Sequence, residues 1–338
     1  MPKPRQLFTQ SRLKEFHRCE RRHFLSYELC IDTHEEDRSA LDFGTAFHCG
    51  LEVWWHQNGV GDFKSALNAA LFSPGNFSGY DLAKIRALMI GYDAVHNGND
   101  GLVTLAVEKE FKIPLRNPAT GRTSRSFSLA GKIDAIARDR NGEIWIVEHK
   151  TTSSDLSAES LYWARLTLDE QVSLYVLAAR ELGFDAVGCI YDVIRKPGQK
   201  PYKATPASKR KFTKDGSLYK TQRQDDETSK EYFLRIAEVI SGAPSDFFRR
   251  TAIVRLDDEI AAFEVHLWKM AQKILAARKD GYHPKNPSAC FDYNTQCKFF
   301  PLCSNASALS DSRWVKKKSQ NPELETTNEP EELKTNEN

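Results

Sequence analysis

The chain has 338 residues, with 48 Lys and Arg against 46 Asp and Glu (net charge +2), 40% hydrophobic and 11% aromatic residues. This supplies core for one large domain or two smaller ones, and excludes a membrane-spanning helix, because no apolar run reaches about 20 residues. Nucleic-acid binding would need local basic patches, and seven cysteines behind a basic N-terminus without an apolar signal segment argue for an intracellular chain of buried thiols or metal ligands, not a disulfide framework.

Ser11 to Glu28 reads as a helix capped by Ser11, with Leu13, Phe16, Phe24 and Leu25 as apolar positions. Arg12, Lys14, Arg18, Arg21 and Arg22 crowd the rest of it, and Cys19, in its middle, reads by itself as a small buried hydrophobe. Thr33 to Arg38 is a charged loop. A second helix begins within Leu41–Glu52 and continues through Trp54 and Trp55. By itself His48 in this helix is a half-buried histidine satisfied by a backbone carbonyl, and Cys49 is a buried thiol. Phe63–Leu71 and Tyr80–His96 are further helices, separated by a Ser-Pro-Gly-Asn-Phe-Ser-Gly loop. Val103 to Leu115 reads as a strand with Glu108 and Glu110 on one face, expected to face solvent in preference to adding an acidic group near a metal.

Leu129 to Ala137 alternates and is rich in apolar residues, Arg140-Asn141-Gly142 supplies a hairpin turn, and Ile144 to Val147 is a β-branched and aromatic run that needs burial. Asp134 lies in the first arm, and Glu148 and Lys150 end the second. Residues two apart in a strand share a face, so Glu148 and Lys150 project together and His149 points away. A neighbouring strand can bring Asp134 against them. Two carboxylates and an ammonium at one sheet edge suit a hard divalent cation held by oxygen, although a charged surface hairpin has the same letters.

Leu161 to Leu168 leads into a helix from about Asp169 to Leu182, where Gln171 and Tyr175, four apart, share a face. They are either a hydrogen-bonded core pair or a polar pair able to meet phosphate and sugar. Ala186 to Ile194 is a strand in which Cys189 packs. From Arg195 to Arg223 the chain turns basic, with Tyr202, Phe212 and Tyr219 interleaved among ten lysines and arginines. That composition suits a single-strand contact loop and a solvated mobile loop equally. Ser229–Ser241 and Leu256–Lys279 read as helices, and Asp246–Arg255 as a short edge strand. Cys290, Cys297 and Cys303 then fall within a Pro- and aromatic-rich segment that has no core of its own. Four thiolates suit zinc or an iron–sulfur cluster, and the close Cys-x-x-Cys knuckles of zinc ribbons are absent; the other reading is three unconnected structural thiols. Residues 315–338 are expected to be disordered. No Walker A motif is present, which excludes a fused ATP-driven helicase.

Gly131-Lys132-Ile133-Asp134, Ile146-Val147-Glu148-His149-Lys150-Thr151-Thr152 and Gln171-Val172-Ser173-Leu174-Tyr175, preceded by Gly44-x-x-x-His48 with Leu51-Glu52, resemble the PD-(D/E)XK nuclease superfamily. Within it the chain looks like the RecB-like exonucleases, including the iron–sulfur ones of phages and CRISPR adaptation systems, from about Ser11 to Cys303.

The resemblance implies an α/β, restriction-endonuclease-like fold: a central mixed sheet flanked by helices, a helical N-terminal part and a C-terminal iron–sulfur segment. It implies one nuclease domain over residues 1–314, divided into a helical part (11–100), catalytic core (101–195), basic loop (196–228), helices (229–282) and cysteine segment (283–304). It further implies Asp134, Glu148 and His48 as ligands of Mg²⁺ or Mn²⁺, Lys150 as the catalytic lysine, and Gln171 and Tyr175 as DNA contacts or scaffold. Cys19, Cys290, Cys297 and Cys303 would hold a [4Fe–4S] cluster stapling the two ends of the chain. The implied activity is phosphodiester hydrolysis from DNA ends with a single-strand preference, in repair, recombination or phage DNA processing, in the cytoplasm of a bacterial or phage-infected cell. A non-catalytic DNA-end-binding accessory protein and a structure-specific endonuclease are the alternatives.

Overall fold

The computed structural model describes residues 4–33, 39–58, 61–98, 101–292, 295–321 and 324. Residues 34–38 of the charged loop and most of the tail lie outside the described residues. In chain order the strands are β1 (Gln6–Phe8), β2 (Ile31–Thr33), β3 (Val103–Arg116), β4 (Thr123–Arg138), β5 (Ile144–Thr152), β6 (Ala186–Arg195), β7 (Phe248–Val254) and β8 (Trp314–Lys316). The helices are α1 (Gln10–Arg18), α2 (Glu20–His23), α3 (Ser39–His56), α4 (Phe63–Leu71) and α5 (Gly79–His96). They continue with α6 (Leu161–Thr167), α7 (Glu170–Glu181), α8 (Ser229–Gly242), α9 (Asp257–Asp280) and α10 (Phe300–Cys303). No helix of the described residues is long and apolar enough to cross a membrane.

The chain packs as two compact units, one of Asp37–Lys109 and Ile133–Ile260, the other of Met1–Glu36, Glu110–Lys132 and Ala261–Asn338. In the first, the second half of β4 pairs antiparallel with β5, β5 runs parallel to β6, and β6 pairs antiparallel with β7. This is the mixed sheet that the resemblance implies. The register sorts the side chains. Ala135, Ala137, Val147, Ile194 and Phe248 belong to one core with α3, α4, α5 and α8, while Ile136, Ile146, Tyr191 and Val193 alternate with them and point to the opposite face. There α7 lies along β5 and β6. Parallel β5 and β6 need a crossover, and α6 and α7 supply it. Close approach is set by glycines: a Cβ on Gly50 of α3 would stand 2.9 Å from the Ala70 Cβ of α4.

In the other unit β1 runs parallel to the first half of β4, and β2 pairs antiparallel with β8. The expected single helix over 11–28 is interrupted. Thr9, not Ser11, caps α1, its Oγ1 accepting from the Arg12 N–H at 3.2 Å. At Cys19 the backbone is extended (φ −167°, ψ 118°), ending α1, and the chain resumes as α2 and a π-helical turn over Phe24–Glu28. The expectation of disorder from residue 315 is corrected for residues 315–321 alone. Val315 and Lys316 pair with Asp32 and Ile31, the Lys317 N–H donates to the Cys30 carbonyl at 2.7 Å, and Asn321 is buried. A polar composition lacks a core of its own, but backbone pairing to an existing strand does not need one.

Candidate active site

The β4–β5 hairpin is set by its turn. Asp139 Oδ1 accepts from the Asn141 and Glu143 N–H groups, both at 2.9 Å, and Gly142 takes φ +88°, a left-handed conformation that glycine adopts without strain. The resulting register, Ala135 opposite Val147, puts Asp134 opposite Glu148 one step further on, with both side chains on the α7 face. Lys150 follows on that face. Its Nζ donates to Glu148 Oε1 at 2.5 Å and to Gln171 Oε1 at 2.9 Å. Gln171 donates in turn to Glu148 Oε1 at 2.8 Å and to the Tyr175 hydroxyl at 3.1 Å. Asp169 fixes the start of α7: it caps the Gln171 N–H at 3.0 Å and accepts from the Tyr191 hydroxyl of β6 at 2.9 Å.

His48 reaches Asp134 from α3, with its Nδ1 3.7 Å from Asp134 Oδ2. A third group joins them. Glu108, expected to face solvent, has φ +47° within β3, and its carboxylate, His48 and Asp134 present ligand atoms all within 4.8 Å of one another. A left-handed residue breaks the two-residue alternation on which a strand reading depends, so no pattern in the letters places Glu108 here.

The electrostatics are those of crowded acids. Burial and then the Asp134 charge raise the Glu148 carboxyl to about 7, against the opposing pull of Lys150. Burial would lower the Lys150 pKa, but the charge and hydrogen bond of Glu148, with Asp134 behind it, raise it above the ordinary lysine range. Burial lowers His48 despite Asp134, which favours the neutral, ligating imidazole. Glu148 Oε2 is buried and has no hydrogen-bond partner among the described residues. An unpaired buried carboxylate oxygen costs on the order of 1–3 kcal/mol or more, and a divalent cation would remove that cost. Three carboxylates and one imidazole are the donor chemistry of Mg²⁺ or Mn²⁺.

Behind the acids, on the opposite face, stands a group the sequence reading did not single out. His149, Asp192 and Arg250 are consecutive partners across β5, β6 and β7. His149 Nδ1 lies 3.0 Å from Asp192 Oδ2, and Arg250 Nε donates to Asp192 Oδ1 at 3.1 Å. The Tyr92 hydroxyl donates to Asp192 at 2.5 Å and accepts from Trp55 Nε1 at 3.1 Å and Arg250 Nη2 at 2.8 Å. Burial would raise the Asp192 carboxyl, but Arg250 and the His149 hydrogen bond outweigh it and hold it far below the usual carboxylate range. An aspartate inside the apolar run Val187-Gly-Cys-Ile-Tyr-Asp-Val-Ile194 was the available signal.

In the unit that holds both chain ends, Cys19, Cys290, Cys297 and Cys303 line one cavity of about 180 Å³, together with Arg22 and Lys285. All four are free thiols. Arg22 Nη1 donates to Cys297 Sγ at 3.9 Å, and the Asn286 N–H donates to Cys19 Sγ at 3.4 Å. Among the described residues no three cysteine sulfurs lie within 4.8 Å of one another.

The basic segment after β6 is an exposed, largely irregular excursion. Lys200, Lys209, Lys211, Lys214 and Lys220 are exposed, as are Tyr202, Phe212 and Tyr219. Arg210 and Lys203 hold it in shape, through the Thr205 and Gln224 carbonyls and through Asp226.

No curated protein matches the chain by sequence. The solved crystal structure of SSO0001 is similar over 79% of this chain and 86% of its own, with 15% identity and a TM-score of 0.31. One family profile matches residues 7–304, a span that includes Asp134, the Glu148-x-Lys150 strand end and α7. The protein belongs to that family, the PD-(D/E)XK nuclease superfamily.

Proposed function

We propose that the protein is a metal-dependent DNA exonuclease of the RecB-like branch, acting on DNA ends with a preference for single strands, in DNA repair, recombination or phage DNA processing. The observation that carries this reading is the convergence of Asp134, Glu148 and Lys150 on one face of the sheet, with Glu148 Oε2 buried and unpaired. Asp134, Glu148 and His48, with Glu108 beside them, would hold Mg²⁺ or Mn²⁺. The bound cation would supply Lewis acidity toward water and the scissile phosphate. Lys150, held by Glu148 and Gln171, would offset negative charge building on the phosphate or position the attacking water. Gln171 fixes the Glu148–Lys150 pair, and Tyr175 fixes Gln171; this supports the scaffolding role for these two residues over direct DNA contact.

The lysines of the basic segment would neutralise phosphates, while Tyr202, Phe212 and Tyr219 stack on unpaired bases. The four cysteines would hold a [4Fe–4S] cluster, a reading supported by their lining one cavity and by the N–H donors aimed at two of the sulfurs. Such a cluster would tie Cys19 to the 290–303 segment. The test is digestion of end-labelled linear single strands with Mn²⁺ beside a circular single strand. Loss of the linear strand alone supports the exonuclease; cutting of the circle shows an endonuclease; binding without degradation shows an accessory protein.

A further inference from the structure

One residue touches both His48 and Asp134 without being a ligand. The His149 backbone N–H donates to Asp134 Oδ2 at 2.9 Å, and the His149 ring meets the His48 ring edge-on, with centroids 5.9 Å apart. His149 therefore meets two side chains that come from different elements, Asp134 of β4 through its backbone and His48 of α3 through its ring. The His149 side chain, on the opposite face, is held by Asp192, and Asp192 by Arg250 and Tyr92. Asp192 is fully buried and both of its oxygens are engaged. Keeping an ionised carboxylate and a guanidinium inside a sheet face carries a desolvation cost that apolar residues would avoid. Here that cost is met next to the strand end that carries Glu148 and Lys150.

We infer that His149 is a positioning residue for the metal site: its backbone N–H holds Asp134 beside His48, and the His149–Asp192–Arg250 line across three strands fixes that backbone. The inference rests on the proposed metal-binding role of Asp134 and His48. Strand backbone at the end of a sheet is otherwise free to shift by fractions of an ångström, enough to spoil a coordination geometry held to within about 0.5 Å. The side chain needs only a donor at the place of Nδ1, and Asn puts its amide nitrogen there.

The test measures Mn²⁺ affinity by electron paramagnetic resonance titration, with thermal unfolding of the metal-free protein alongside. His149→Leu removes the donor and keeps an apolar side chain, while Asp192 retains Arg250 and Tyr92. The expected result is a cooperative unfolding transition with Mn²⁺ affinity reduced about 10-fold or more. His149→Asn should restore the affinity to within about threefold. Wild-type affinity in His149→Leu, or Asn as weak as Leu, overturns the inference. Should His149→Leu fail to fold, Arg250→Lys decides: a folded protein with weakened Mn²⁺ binding supports the line across the sheet, and unchanged binding overturns it. A wild-type chain whose Mn²⁺ binding is absent, or indifferent to Asp134→Asn, removes the underlying metal reading instead.

Discussion

Gln171 donates to Glu148 Oε1 at 2.8 Å from the first turn of α7, and its own amide oxygen takes the Lys150 ammonium at 2.9 Å. One neutral side chain thus bridges an acid and a base that already touch each other, and it leaves Glu148 Oε2 unengaged. Gln171→Met keeps the length of the side chain and removes all of these bonds. It should lower single-turnover cleavage about 10- to 100-fold, the usual effect of losing a ligand's supporting hydrogen bond, while the melting temperature moves by only a few degrees. Cleavage at the wild-type rate would show that Gln171 merely fills space.

His23 provides a pH signature in the other unit. Its Nε2 accepts from Arg12 Nε at 3.1 Å, which demands the neutral ring. Burial, and then the charges of Arg12 and Arg278, lower its pKa to about 2. The folded value lies below the unfolded one, so the unfolded chain binds a proton that the folded chain refuses, and stability falls as pH drops from about 6.5 toward 2. The loss is at most ~1.4 kcal/mol per pH unit, or ~3 kcal/mol between pH 6.5 and 4.5. His23→Gln keeps an acceptor for Arg12 and cannot be protonated, so denaturant unfolding should be less pH-dependent by about that slope. Equal slopes for the two proteins refute the buried neutral histidine.

Much of this site was legible because its parts are local. The Asn-Gly turn, the apolar arms and the i, i+2 spacing of Glu148 and Lys150 fix the hairpin, and one capped helix fixes Gln171 and Tyr175. What escaped depends on contacts distant in sequence or on backbone angles. Glu108 enters only because of a positive φ, and Asp192 has its role only because β5, β6 and β7 align His149, Asp192 and Arg250. The extended residue at Cys19 leaves no trace in the letters, because apolar spacing survives a single break in a helix. The hydrogen bond from the Asn286 N–H to its sulfur joins residues 267 positions apart.

Gly188 tests the sheet. A Cβ there would stand 2.2 Å from the Ile253 carbonyl oxygen of the neighbouring strand, and backbone cannot step aside as a side chain can. Gly188→Ala should force β6 and β7 apart and destabilise the protein by about 1–3 kcal/mol or more, read as a lowered melting temperature. Because β6 also carries Asp192, Mn²⁺ affinity should fall with it. An unchanged melting temperature would mean that the strands are not this close.

The cysteine cavity makes a spectroscopic prediction. Protein purified without oxygen should absorb near ~400 nm and carry iron, and Cys19→Ser should lose most of both, because four thiolates are needed to hold the cluster. The Arg22–Cys297 contact adds a finer expectation. Arg22 is also paired with Glu15 at 2.5 Å, so Arg22→Leu should leave the colour in place and lower the cluster's reduction potential by withdrawing a positive charge and a donor from one sulfur. A colourless, folded, zinc-containing protein would refute the cluster.

The basic segment separates charge from stacking. Each lysine that neutralises one phosphate of a single strand contributes about −0.7 to the slope of log affinity against log salt. Lys209→Ala, Lys211→Ala and Lys214→Ala together should therefore make that slope shallower by about 2 and weaken binding most at low salt. Phe212 and Tyr219 are exposed and uncharged, so their replacement by Ala should cost about 1–3 kcal/mol of single-strand affinity per stacked base and leave the slope alone. Duplex DNA offers no unpaired base to stack on and should register only the lysine changes. Fluorescence anisotropy with labelled single and double strands at several salt concentrations reads all three effects. If the lysine and aromatic variants bind both substrates like the wild type, the segment is a solvated loop, and strand preference has to be sought elsewhere.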